Sequence, residues 1–280
     1  MFAKMKTRFV FGAPAAALFP AACANAPPPE PPPAAVAVRA PAAGFVRITD
    51  SLDAARDIEA LIAPYRERLG EQLAEVLGHA SGDFVKADPE GTLDNLVAEA
   101  LLHAARRYAR DTVHVSLVNE GGIRVPLAAG PILMRHAYEL LPFENFVVVL
   151  TLSGAQLEEL ADQIARTTGE PIAGWTMELD GDDAVGVRIN GEPVDPDRAY
   201  RLATVDYLVN GGGEWSVLWD VGAGAREDLG ILIRAAFVEY LRERGTVTPA
   251  LDGRIRRRPP RAPPNGGSSR YSGARAVASR

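Results

Sequence analysis

The chain has 280 residues, 47% hydrophobic and 24% charged, with one cysteine and four histidines. That length holds one large domain or two small ones around a real core, and a single thiol excludes a disulfide framework or a cysteine-based zinc site. The net charge of −6 is uneven: Lys4, Lys6 and Arg8 open the chain and eight arginines close it from Arg254 onward, so the remaining 19 basic residues face all 36 acidic ones, a balance of −17. An acidic body repels phosphate, which argues against specific nucleic-acid binding.

Residues 1–26 have the pattern of an export signal, with three cations, an apolar run from Phe9 to Ala22, and then small residues. The run of about 14 residues is shorter than the ~20 that span a bilayer as a helix, and Pro14 and Pro20 break it as a core helix. Pro20-Ala21-Ala22-Cys23 resembles a bacterial lipobox, with Pro20 where that pattern prefers an aliphatic residue. Cleavage after Ala24 or Ala26 is the competing reading. A lone thiol in an exported protein favours lipidation of Cys23, placing the chain in the periplasm or cell envelope with a lipid anchor in the membrane. Residues 27–44 are a Pro/Ala linker that favours extended polyproline II. Residues 256–280, rich in Arg and Pro without apolar periodicity, are expected to be a disordered tail.

The folded domain is therefore expected over residues 45–255. From Asp50 to His79, Ile58, Leu61, Ile62, Tyr65, Leu69, Leu73, Val76 and Leu77 recur at three- and four-residue spacing, which predicts one long amphipathic helix with a kink at Pro64. A second helix is predicted from Thr92 or Asp94 through Arg110. The β-branched alternation of Asp111–Asn119 predicts a strand, Gly130–Leu141 a helix, Asn145–Leu152 a buried strand, and Gly154–Thr167 a helix capped by Ser153. Asn190-Gly191 marks a hairpin turn. Tyr200–Trp215 is predicted as a strand running into a glycine turn, and Glu227–Arg244 as a terminal helix stopped by Gly245. Strands and helices mix without regular βαβ alternation, so the fold class is α/β of the mixed α+β kind, one domain with a mixed sheet flanked by helices.

No GxSxG, HExxH, Walker or GxGxxG pattern is present. His79, His103, His114 and His136 are scattered, and carboxylates are spread over helix faces, so no catalytic residue and no metal ligand stands out. Three loops remain. Asn119-Glu120-Gly121-Gly122-Ile123-Arg124 combines an amide and a guanidinium with a backbone open to close approach. Leu141-Pro142-Phe143-Glu144-Asn145 presents a Phe on a proline turn, and Asn210-Gly211-Gly212-Gly213-Glu214-Trp215 places a Trp after glycines. Two aromatics with Asn and Arg suit a flat aromatic ligand, stacked on its faces and read at its edge.

In this order the three loops resemble the C-terminal domain of the 5′-nucleotidase family, which carries N-x-G-G-I-R, then L-P-F, then A-N-G-G-x-x-[FY]. The likeness spans residues 45–255 and closes on Leu251-Asp252-Gly253-Arg254-Ile255. It implies a nucleoside or nucleotide as ligand. Asn119, Gly121, Gly122 and Arg124 would contact ribose or phosphate, Phe143 and Trp215 would sandwich the base with Asn210 and Gly212 beside them, and Asp220 would hold the ribose hydroxyls. A further family arginine, ahead of the helix at Asn95, falls on Pro89, with Lys86 and Asp88 the nearest charges. The family's two-metal hydrolysis belongs to a separate domain with D-x-H, G-N-H and G-H-x-H motifs, and none of these occurs here. The chain itself is thus expected to hold no cofactor, the divalent metals belonging to a metallophosphatase partner.

Overall fold

The computed structural model describes residues 55–219 and 221–259. The export segment, Cys23, the Pro/Ala linker, Asp220 and the tail beyond Pro259 lie outside the described residues. Helix α1 (Arg56–Leu73) runs unbroken through Pro64 and buries none of its residues. Its stripe of Ile58, Leu61, Tyr65 and Leu69 is exposed. The predicted helix is too long: Ala74 and Glu75 turn back onto α1 through hydrogen bonds to Gly70 O and Gln72 O, and residues 76–80 form strand β1 (Val76–Ala80). The helical spacing at Val76 and Leu77 loses to pairing with two strands, a tertiary override of a local pattern.

The long α2 (Thr92–Tyr108) carries eleven buried residues and is the central helix. After β2 (Val115–Leu117) come β3 (Gly130–Leu133) and the short α3 (Met134–Leu140), so the predicted helix at Gly130 starts four residues late. Gly130–Leu133 pairs with β1 instead. Strand β4 (Phe146–Ser153) leads into α4 (Gly154–Arg166). Ser153 Oγ accepts from Gln156 N–H while Gln156 Oε1 accepts from Ser153 N–H, a reciprocal cap. Then follow β5 (Ile172–Ala173), β6 (Trp175–Asp180), β7 (Asp183–Ile189), β8 (Glu192–Pro193) and β9 (Ala199–Val205), with the expected Asn190-Gly191 turn between β7 and β8. The predicted strand from Tyr200 ends at Val205, where α5 (Asp206–Val209) and α6 (Ser216–Trp219) begin. Residues 226–232 are strand β10 (Arg226–Leu232), not helix, and α7 (Ile233–Arg244) starts after them. Strand β11 (Thr246–Val247) and β12 (Ile255–Arg257) finish the described chain, so ordered structure runs past the expected boundary at residue 255.

The strands lie in three sheets, ordered β11-β1-β3, β10-β4-β9-β2-β5 and β12-β6-β7-β8. In the five-stranded sheet β4 and β9 are antiparallel over Val147↔Val205 to Ser153↔Ala199. Strand β2 lies parallel to β9, and β10 antiparallel to β4 with Leu232 opposite Phe146. The ends of β2, β9 and β10 and the start of β4 therefore meet at one end of the sheet. The closing segment is latched by the buried Arg254, which donates to Ile172 O, Glu99 Oε1 and both oxygens of Asp252. A buried guanidinium needs hydrogen-bond acceptors in place of its lost water, and here two of the partners are carboxylates.

A Cβ on Gly154 would overlap the Asp195 carbonyl oxygen, whereas one on Gly70 in α1 meets nothing within 4 Å. Gly154→Ala is expected to lower stability by roughly 2 kcal/mol, and Gly70→Ala to raise it by up to about 1 kcal/mol. Urea unfolding of the two variants checks both signs.

Candidate functional site

The sheet register brings the three sequence-selected loops together, since they follow β2, precede β4 and follow β9. Hydrogen bonds from backbone N–H groups then tie the ends of the loops to one another and to α7. Arg124 N–H donates to Leu140 O, Phe146 N–H to Asp206 Oδ1, and Ile233 N–H to Asn145 O.

The first loop leaves β2 as a tight 3-10 turn over Glu120–Gly122. The Asn119 side chain folds over it, so that a Cβ on Gly122 would stand 3.3 Å from Asn119 Oδ1. That oxygen is buried and has no partner among the described residues. An orphaned acceptor in a native site invites a donor from outside. Arg124 donates from Nη1 to Gly121 O at 3.0 Å, and its guanidinium lies 5.9 Å from the centroid of the Phe143 ring, at the outer range of a cation–π contact. Phe143 itself is 48% exposed.

On the third loop Gly212 N–H donates to Tyr207 O at 2.8 Å, and a Cβ on Gly212 would come within 2.5 Å of the Tyr207 ring. Glycine is required there for the ring to lie across the turn. Tyr207 is 49% exposed. With Asn145, Asp206, Asn210 and Gly211–Gly213 it lines an open cavity of about 470 Å³. Asn145 also lines the narrow crevice that holds Asn119, Gly122 and Phe143. The loop that carries Phe143 and the short α5 that carries Tyr207 therefore meet at one amide. Asn210 Oδ1 accepts from Arg226 Nη1 at 3.1 Å, which leaves its amide nitrogen for a ligand.

Trp215 does not form the expected sandwich. It is 4% exposed, and its indole is tucked beneath Gly213, which has φ +79° and would place a Cβ 2.7 Å from Trp215 Nε1. An indole that can reach the core gains more by burial than by facing water. Asp220 lies outside the described residues. Tyr207 and Asn145 are the site residues missed from sequence. Tyr207 sits two residues past the last buried position of β9, inside a stretch whose pattern predicts one strand. Asn145 lies in the second loop, where Phe143 drew the attention.

Behind the first loop stand two carboxyls, the buried Asp94 and the half-buried Glu170. Glu170 accepts the Glu120 N–H, and desolvation, reinforced by the nearby Glu120 and Asp94 charges, pushes its pKa up to about 7. Desolvation likewise raises Asp94 to about 6. Lys86 reaches the same place, with Nζ 2.9 Å from Glu120 Oε1. Among the described residues no group of three or more His, Cys, Asp or Glu side chains is placed to hold a metal ion. No helix among them is long and apolar enough to cross a membrane.

From about pH 4.5 to about pH 7 the folded chain keeps a proton on Glu170 that the unfolded chain releases, so stability falls as pH rises through that window. Glu170→Gln keeps an acceptor for the Glu120 N–H and removes this loss, which is at most about 3 kcal/mol. Urea midpoints at the two ends of the window are expected to differ less in the variant than in the parent. Equal slopes would refute the assignment.

The family described as 5′-nucleotidase, C-terminal domain matches residues 76–220. The trifunctional nucleotide phosphoesterase protein YfkN of Bacillus subtilis is 31% identical over 184 residues, covering 60% of this chain and 12% of that protein. Protein UshA of Yersinia enterocolitica is 28% identical over 161 residues, covering 54% of this chain and 28% of its own length. This chain thus spans well under half the length of these curated relatives. Among solved structures, the 5′-nucleotidase precursor of Thermus thermophilus superposes with a TM-score of 0.63 at 30% identity, over 71% of this chain and 42% of that one. The NAD nucleotidase of Haemophilus influenzae shares the fold, with a TM-score of 0.60 at 18% identity, over 72% of this chain and 41% of that one. The loops selected from sequence all fall within the matched span, and the chain belongs to the 5′-nucleotidase C-terminal domain family.

Proposed function

We propose that this chain holds the nucleoside part of a nucleotide at the end of its five-stranded sheet and serves a separate metallophosphatase polypeptide that carries out the hydrolysis. One observation carries this reading: two half-exposed rings, Phe143 on the second loop and Tyr207 on α5, line hollows that share Asn145, beside the unpaired Asn119 oxygen. The rings would take the faces of a base, while Asn145, Asn119 and Asn210 would read polar edges. Arg124 would lie on the ribose or phosphate side, with the backbone of Gly121, Gly122 and Gly212 close by. Trp215 would support the glycine turn from beneath. The relatives named above as nucleotide phosphoesterase and 5′-nucleotidase support a nucleotide as the ligand class. Water activation is assigned to the partner because the described residues offer no ligand cluster for the metals. A non-catalytic nucleoside-binding or scaffold lipoprotein is the alternative.

Calorimetry with adenosine and AMP tests the site. Phe143→Ala and Tyr207→Ala are each expected to weaken binding more than tenfold, by about 1.4 kcal/mol or more, whereas Trp215→Phe is expected to lower the unfolding midpoint and leave affinity near that of the parent. Full affinity in Tyr207→Ala would remove the sandwich. Adding the chain to a candidate metallophosphatase is expected to raise AMP hydrolysis above the partner alone. Binding without any such gain would leave the non-catalytic alternative.

We also infer export and lipidation at Cys23, on the signal pattern and the lone thiol. Metabolic labelling with a palmitate analogue is expected to mark the parent and not Cys23→Ala. An unlabelled parent would be evidence for cleavage after Ala24 or Ala26.

A further inference from the structure

Arg234 is the second residue of α7 and is buried. A cation in the first turn of a helix sits against the positive end of the helix dipole, and a buried guanidinium has lost its water. Among the described residues no carboxylate forms an ion pair with it. What Arg234 has instead is the second loop. Its Nη1 donates to Leu141 O at 2.9 Å and to Pro142 O at 3.2 Å, and its guanidinium lies 4.3 Å from the ring centroid of Tyr138 on α3. Leu141 and Pro142 follow the end of α3, where carbonyls lack intrahelical donors and a cation is favoured. Arg234 therefore bridges the two helices that flank the loop.

The location of these carbonyls matters for the ligand. Pro142 O belongs to the peptide plane that joins Pro142 to Phe143, and the proline ring already fixes φ on the near side of that plane. Holding Pro142 O sets the direction in which the Phe143 Cα and ring leave the chain. One residue earlier in α7, Ile233 N–H holds Asn145 O, so the first turn of α7 grips the loop on both sides of Phe143. A lysine would supply the charge, but not the planar guanidinium that lies over the Tyr138 ring while one of its nitrogens donates to both carbonyls.

We propose that Arg234 is a positioning residue that fixes the stacking face of Phe143, an inference that rests on the nucleoside reading above. Four chains test it: the parent, Arg234→Met, Arg234→Lys and Arg234→Ala. Two measurements are made on each, adenosine affinity by calorimetry and the backbone ¹⁵N heteronuclear NOE at Phe143 and Glu144. Arg234→Met is expected to bind adenosine at least tenfold more weakly, with a lowered NOE at Phe143 and Glu144, and Arg234→Lys to fall between it and the parent. Millimolar guanidinium is expected to restore part of the affinity in Arg234→Ala, an effect that general destabilisation would not produce. Unchanged affinity in Arg234→Met beside a weakened Phe143→Ala overturns the role of Arg234 and leaves the site intact. A parent that binds neither adenosine nor AMP overturns the nucleoside reading. The NOE then decides the remaining claim, since an unchanged value in Arg234→Met shows that Arg234 does not hold the loop. If Arg234→Met does not fold, the same two measurements on Arg234→Lys decide.

Discussion

The antiparallel register of β4 against β9 is the constraint on which the rest of the structure depends. Seven residue pairs, from Val147↔Val205 to Ser153↔Ala199, fix where β4 begins relative to where β9 ends. With β2 parallel to β9 and β10 antiparallel to β4, four connections that are far apart in sequence arrive at one end of the sheet. A slip of one residue would turn Val147–Leu150 and Leu202–Val205 over relative to their neighbours and break the buried packing of both faces. The same packing that makes the core therefore sets the spacing of the loops, and the site inherits its precision from the sheet.

Each loop also borrows rigidity from the next. The first is tied to the second through Arg124 and Leu140, and the second to the third through Phe146 and Asp206. The second is gripped again from α7. Loops pinned in this way lose little further freedom when a ligand arrives, which is the usual origin of preorganised binding. The protonated carboxyls behind the first loop fit this arrangement. Neutral at mildly acid pH, Glu170 accepts a backbone hydrogen bond without setting a full negative charge beside Asp94 and Glu120.

Where a local signal and the tertiary environment agreed, the sequence was a good guide. The Ser153–Gln156 cap, the Asn190-Gly191 turn and the Gly245 stop all follow from residue chemistry acting within a few positions, whereas α2 starts after Gly91 with no side-chain cap, Thr92 and Asp94 bonding Val85 and Ala87 instead. Strands β1, β3 and β10 were hidden for one shared reason. Each runs directly into or out of a helix with no breaker between, and its apolar residues extend the helical spacing of its neighbour. Only distant partners, such as Leu133 for Val76 or Leu150 for Arg226, reveal them. At the candidate site, Asn119, Gly122 and Phe143 could be selected from sequence because they stand on loops outside any helical or strand periodicity, in one recurring order. Trp215 misled because an aromatic after glycines can turn either inward or outward. The competition between the core and the solvent, which sequence spacing does not encode, decided it, and it left Tyr207 as the outward ring.

The inward turn of Trp215 also divides the three tryptophans of the chain into two classes. Trp175 and Trp215 are buried, whereas Trp219 is 43% exposed and donates from its indole nitrogen to Leu208 O, the residue after Tyr207. A water-borne quencher reaches one indole and spares the other two, and the indole it reaches is bonded to the helix that carries the outward ring. The molecule thus contains its own optical reporter, whose quenching and emission wavelength follow the state of the third loop against a constant background from the core.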